Sequence, residues 1–77
     1  MKELQILGTG CAACNTLAER TAQAAVELGI EHTLEKVGDM NRILAFDVAS
    51  TPALVVDGKV MVSGRVPSLP ELKSMLS

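Results

Sequence analysis

Between Cys11 and Leu28 the chain contains neither glycine nor proline, and Leu17, Thr21, Ala24, Ala25 and Leu28 recur at helical spacing. The small side chains on that face predict a helix lying close against a sheet. Residues 3–7, with Leu4, Ile6 and Leu7, read as a short strand before it, and Gly8-Thr9-Gly10 breaks the strand with backbone geometry that a side chain would block. Gly29 is a C-terminal stop for the helix. Residues 30–37, carrying Ile30, Leu34 and Val37, read as a second strand. A strand-helix-strand start implies a parallel pair joined by a right-handed crossover. That arrangement excludes purely helical and purely antiparallel folds.

The second half adds different signals. Gly38-Asp39 caps a short second helix holding Met40, Ile43, Leu44 and Phe46-Asp47, which Ser50-Thr51-Pro52 ends. Ala53-Leu54-Val55-Val56 is rich in β formers, Asp57-Gly58 is a two-residue hairpin turn, and Lys59-Val60-Met61-Val62 returns. After the loop 63–67, Ser68 and Glu71 form a capping-box signature. Leu69, Leu72, Met75 and Leu76 give the last helix its apolar face. The expected fold is therefore α/β, in the order β-α-β-α-β-β-α, with a four-stranded mixed sheet flanked by helices.

With 77 residues the chain has room for one domain, residues 1–77, and one core. Phe46 is the only aromatic residue, so that core must be aliphatic and alanine-rich. Lys and Arg total 7 against 9 acidic residues, for a net charge of −2. There is no basic cluster to follow a phosphate backbone and no aromatic platform for bases, which argues against nucleic acid as a partner. No segment approaches the roughly 20 apolar residues of a membrane span. Residues 1–7 hold no apolar run of signal-peptide length, so a cytoplasmic location is expected.

The two cysteines, Cys11 and Cys14, stand three positions apart at the start of the predicted helix. Such a pair exchanges electrons as a dithiol and disulfide, or it holds a soft metal. A structural cross-link would gain little from closing so short a loop, and a close pair in a cytosolic chain points to chemistry. At a helix N-terminus the unpaired N–H groups and the dipole favour a thiolate, the species that attacks disulfides. Residues three apart on a helix share a face, which places the second thiol within reach of the first.

Cys11-Ala12-Ala13-Cys14, followed at a distance by Thr51-Pro52 before the hairpin, resembles the thioredoxin/glutaredoxin superfamily, and in particular its small thioredoxin-like members. The resemblance extends over nearly the whole chain. It implies a thiol-disulfide oxidoreductase that reduces protein disulfides, with Cys11 as nucleophile and Cys14 as the resolving thiol. It further implies that Pro52 is cis and faces the disulfide, and that Thr51 offers backbone groups to an extended substrate strand. Gly10, Ala12 and Ala13, with Val66, would complete the docking face. By the same resemblance the protein is regenerated by a flavin-dependent disulfide reductase; no cofactor of its own and a monomeric state are expected.

The chain departs from the family pattern in several places. Gly10 stands where thioredoxins usually carry Trp, and Ala12-Ala13 replaces the usual intervening pairs. Gln5 lies near the position of the family's buried carboxylate and cannot take a proton, which leaves water or Glu35 of the neighbouring strand for that task. No tyrosine and no base beside Cys11 favour glutathione, so protein disulfides are the expected substrates.

The same cysteines also resemble the heavy-metal-associated domain, a Cu(I) or Hg(II) carrier whose motif runs Gly-Met-Thr-Cys-x-x-Cys; two soft thiolates suit such a cargo. The Met of that motif is missing, with Thr9 in its place. Those domains follow the first helix with two strands, a helix and a final strand, whereas this chain should end in a helix. His32, the only histidine, reads as a solvated surface residue. Met40, Met61 and Met75 read as gap fillers of the core. Glu19-Arg20, Glu27, Glu31, Glu35-Lys36 and Arg65 read as solvated.

Overall fold

The computed structural model describes residues 1–10, 12–48 and 50–77. Its elements run β1 (Lys2–Leu7), α1 (Ala12–Leu28), β2 (His32–Val37), α2 (Met40–Ala45), β3 (Ala53–Val56), β4 (Lys59–Ser63) and α3 (Leu69–Leu76). One four-stranded sheet has the order β2-β1-β3-β4. Strand β1 is parallel to β2 and antiparallel to β3, and β3 pairs antiparallel with β4. The expected element order and mixed sheet are both present. The metal-carrier order is not: a single strand separates α1 from α2, and the chain ends in α3.

Alternation along the strands divides the interior in two. Leu4, Ile6, Leu54, Val56 and Val62 face α1 and α3, where Leu17, Ala18, Ala24, Ala25, Leu72 and Leu76 complete one aliphatic core. Leu7, Val37, Ala53 and Val55 face the other way, onto Ile43 of α2, with Phe46, Val48 and Val60 around them. Thr21, fully buried in α1, donates its hydroxyl to the Leu17 carbonyl at 2.7 Å, so its burial leaves no unmet donor.

The ends of the elements follow from their caps. The Gly29 amide donates to Val26 O and the Ile30 amide to Ala25 O, both at 3.1 Å. With Gly29 at φ 68°, this is a Schellman stop. Because Ile30 is part of that cap, β2 begins at His32 and not at the expected Ile30. At the hairpin, Asp57 and Gly58 have φ of 51° and 83°, the signs of a type I′ turn. Ser68 and Glu71 form both halves of the capping box at the start of α3.

Two sequence expectations are corrected here. Leu28 is 37% exposed, in the last turn of α1 beyond its last buried residue, Ala25. Met40 and Leu44 are 54% and 63% exposed, since the six-residue α2 touches the sheet through one side and buries Ile43 alone. Met61 and Met75 do pack against the first core.

Three of the residues read as solvated are paired at the surface. Glu27 of α1 meets Lys73 of α3 at 2.6 Å, Glu35 takes both Arg42 Nη2 and Nη1 at 3.0 and 3.1 Å, and Arg65 meets Glu71 at 3.0 Å. Hydrogen bonds from these cations are the main cause that holds the carboxyls of Glu27, Glu35 and Glu71 below their ordinary value, with Gln23, Gln5 and Ser68 adding to it in turn. A depressed carboxyl stabilises the fold above its unfolded value, and the contribution is lost as pH falls through the lower folded value. Denaturant midpoints should hold steady from neutrality to about pH 5 and decline below about pH 4. A Glu27→Gln, Glu35→Gln, Glu71→Gln variant should show a shallower decline; an unchanged acid profile would refute the assignment. Each pair is exposed, so the effect is modest.

Candidate active site

The register of β1 against β3 builds the site. Leu7, the last residue of β1, pairs with Ala53, the first of β3. The chain leaving β1 toward the cysteine motif therefore lies beside the chain entering β3 through Thr51-Pro52. A motif and a dipeptide about 40 residues apart in sequence meet at one end of the sheet because those two strands are antiparallel neighbours. The Thr51–Pro52 peptide bond is cis, as the resemblance implied. Pro52 is buried and Thr51 exposed. The carbonyl of Pro52 accepts the Gly64 amide at 2.8 Å, which ties the dipeptide to the loop after β4.

Cys14 lies in the first turn of α1 and is only 5% exposed. Its side chain rests directly over Gly8, the residue after β1: a Cβ built on Gly8 would overlap the Cys14 sulfur. Ala12 and Ala13 are exposed at the helix start. The Ala12 carbonyl accepts the Thr16 hydroxyl at 3.0 Å. Gly10 is exposed with φ of 87°, and a Cβ there would meet nothing within 4 Å. Glycine is needed at position 10 for its left-handed backbone, which a Trp in the family's manner would strain. Cys11, the expected nucleophile, lies outside the described residues; in sequence it immediately precedes Ala12, the first residue of α1.

The remaining expectations separate cleanly. Gln5 donates to Glu35 at 3.2 Å across β1 and β2. Both lie on the sheet face that carries α2, while α1 covers the opposite face. Glu35 is exposed and engaged by Arg42, which keeps it anionic and a weak base. It is not placed to take a proton from Cys14. His32 is half-buried, with Nδ1 3.0 Å from Ile30 O. It pairs with Lys2 at the end of the sheet away from the cysteines. Val66 packs against the first core.

In the sequence Gly8 reads as a strand breaker and Gly64 as part of the loop 63–67 after the hairpin. Their contacts with Cys14 and Pro52 cross from one element to another, and no local pattern signals them.

A mixed sheet in this order, a Cys-x-x-Cys helix start and a cis Thr-Pro leading into the adjacent antiparallel strand together define a thioredoxin-like domain. Residues 2–77 match the family described as Thioredoxin domain, and the chain belongs to that family. It is 43% identical over 77 residues to a thioredoxin of Methanothermobacter thermautotrophicus, covering 100% of both chains. A thioredoxin of Methanocaldococcus jannaschii is 38% identical over 76 residues, which cover 99% of this chain and 87% of that one.

Proposed function

We propose that this protein is a thiol-disulfide oxidoreductase that reduces disulfides in other proteins through Cys11 and Cys14. The observation that carries the reading is the juxtaposition at one sheet end of the start of α1, which holds Cys14, and the exposed Thr51 beside cis Pro52. The thioredoxin names of its relatives support it.

Cys11, as thiolate, attacks one sulfur of the target disulfide; a mixed disulfide forms and the target's other sulfur leaves as thiolate. Cys14 then gives up its proton to water and attacks the Cys11 sulfur. The mixed bond breaks, the Cys11–Cys14 bond forms, and the second target thiolate departs. Two electrons pass from the protein to the target. The N-terminus of the 17-residue α1 favours the anion needed in the first step. Burial of Cys14 keeps it from competing for substrate. Thr51, Pro52, Gly10, Ala12 and Ala13 form the shelf on which the substrate chain lies.

Regeneration falls to a flavin-dependent disulfide reductase, and the protein works as a monomer in the reducing cytoplasm. No helix among the described residues is long and apolar enough to cross a membrane.

Cys14→Ser retains the first attack and removes the second, so it should accumulate mixed disulfides. Incubated with host lysate, it should yield adducts through Cys11 that dithiothreitol releases. An absence of adducts, with the Cys11 thiol still titratable, would overturn the reading.

A further inference from the structure

Two glycines precede the helix, and they are glycine for different reasons. Gly10 has the left-handed backbone and open space around it. Gly8 lies outside the left-handed region, where any residue is conformationally at ease, yet it is buried against the Cys14 side chain. A Cβ on Gly8 would stand 3.1 Å from Cys14 Cβ and well inside van der Waals contact with Cys14 Sγ.

We propose that Gly8 is a positioning residue for the second step of exchange: the space over its Cα is the seat of the resolving sulfur. This rests on the dithiol reading of Cys11 and Cys14 given above.

The surroundings leave the sulfur as the part that must move if the seat is filled. The Gly8 amide is held to Val37 O at 3.0 Å. Its carbonyl backs onto Gly38, where an added Cβ would lie 3.5 Å away. The backbone at Gly8 is thus pinned between β2 and the loop after it. On the other side, α1 is anchored through Leu17, Ala18 and Thr21, all 0–2% exposed. The overlap of a methyl group on Gly8 with the sulfur is therefore relieved by rotating Cys14 about χ1, for which few rotamers are open to a helical residue, while the 3.1 Å approach of the two Cβ atoms is left to a small shift of the backbone. Rotation moves Sγ out of the place over Gly8 in which the structure holds it, and so changes the position from which it attacks in the second step. The first attack uses Cys11 alone and does not depend on that seat.

The chemistry can be followed with a chromogenic aryl disulfide under single turnover. Attack by Cys11 forms a Cys11–aryl mixed disulfide and releases one aryl thiolate. Attack by Cys14 on the Cys11 sulfur closes the protein disulfide and releases the second. Wild-type protein should show both phases; a wild type that stops after the first would sink the dithiol reading itself. In Gly8→Ala the first phase should stay within about twofold, while the second slows by roughly 10- to 100-fold, the scale expected of a displacement near 1 Å. Equal slowing of both phases, or no slowing of the second, overturns the proposal.

A stability cycle tests the contact without any turnover. Gly8→Ala should lower the denaturant midpoint clearly more in the wild-type background than in a Cys14→Ala background, where the sulfur is gone and only the 3.1 Å approach of the position-14 Cβ remains. If Gly8→Ala does not fold alone but folds with Cys14→Ala, the seat is confirmed. An equal loss in both backgrounds, or failure of both to fold, would show that position 8 needs glycine for some reason other than the sulfur.

Discussion

Cys11→Ser is expected to abolish reduction of protein disulfides, by at least about a thousandfold, as removal of a lone nucleophile does elsewhere. Serine keeps the size and loses the chemistry, because its hydroxyl is not ionised by a helix N-terminus at neutral pH as a thiol is. The remaining thiol cannot take over. Cys14 is 5% exposed and covered by Gly8, so an extended substrate cannot reach it. The measurement is the rate of disulfide reduction in a target protein with dithiothreitol as the electron source. Far-UV dichroism of the variant establishes that it remains folded. Turnover above the dithiothreitol background in folded Cys11→Ser would disprove the assigned order of the thiols.

The largest loss of stability is expected for Leu54→Ala. Leu54 is fully buried on β3, between Ile6 of β1 and Val62 of β4, and faces the core shared with α1 and α3. Leucine-to-alanine changes at such sites cost about 2.7–5 kcal/mol, and a domain of this length has about 4–12 kcal/mol in total. Phe46, the sole aromatic residue, lies outside this core, so no aromatic ring borders the cavity. The urea midpoint should fall by at least about a fifth. Leu44→Ala, at a position 63% exposed, should shift stability by no more than about 0.5 kcal/mol. Equal shifts for the two leucines would contradict the core described here.

These two results bear on different parts of the molecule, and the sequence anticipated them unequally. The role proposed for Cys11 comes from the family resemblance, and residue type, spacing and its place before a long helix agree with it. No such pattern gives the contrast between Leu54 and Leu44. Both are leucines in apolar segments, and only packing reveals that α2 meets the sheet along one side. The same holds for Leu28, which continues the helical stripe of Leu17, Thr21, Ala24 and Ala25 but lies beyond the last buried residue of α1.

By itself the sequence determined the element order, because each boundary carries a local signal. Gly29 stops α1, Asp57-Gly58 turns the hairpin, and Ser68 with Glu71 opens α3. It determined the chemistry as well, since a thiol pair at a helix start has few uses. Only the tertiary structure decided which distant residues lie beside the start of α1. The register Leu7↔Ala53 sets Thr51-Pro52 beside the motif, and the seat over Gly8 receives the Cys14 sulfur. The same sheet carries Glu35 to the face away from α1, where Arg42 engages it. Strand register and the face of a sheet are set by pairings between segments remote in sequence. No local run of residues encodes them.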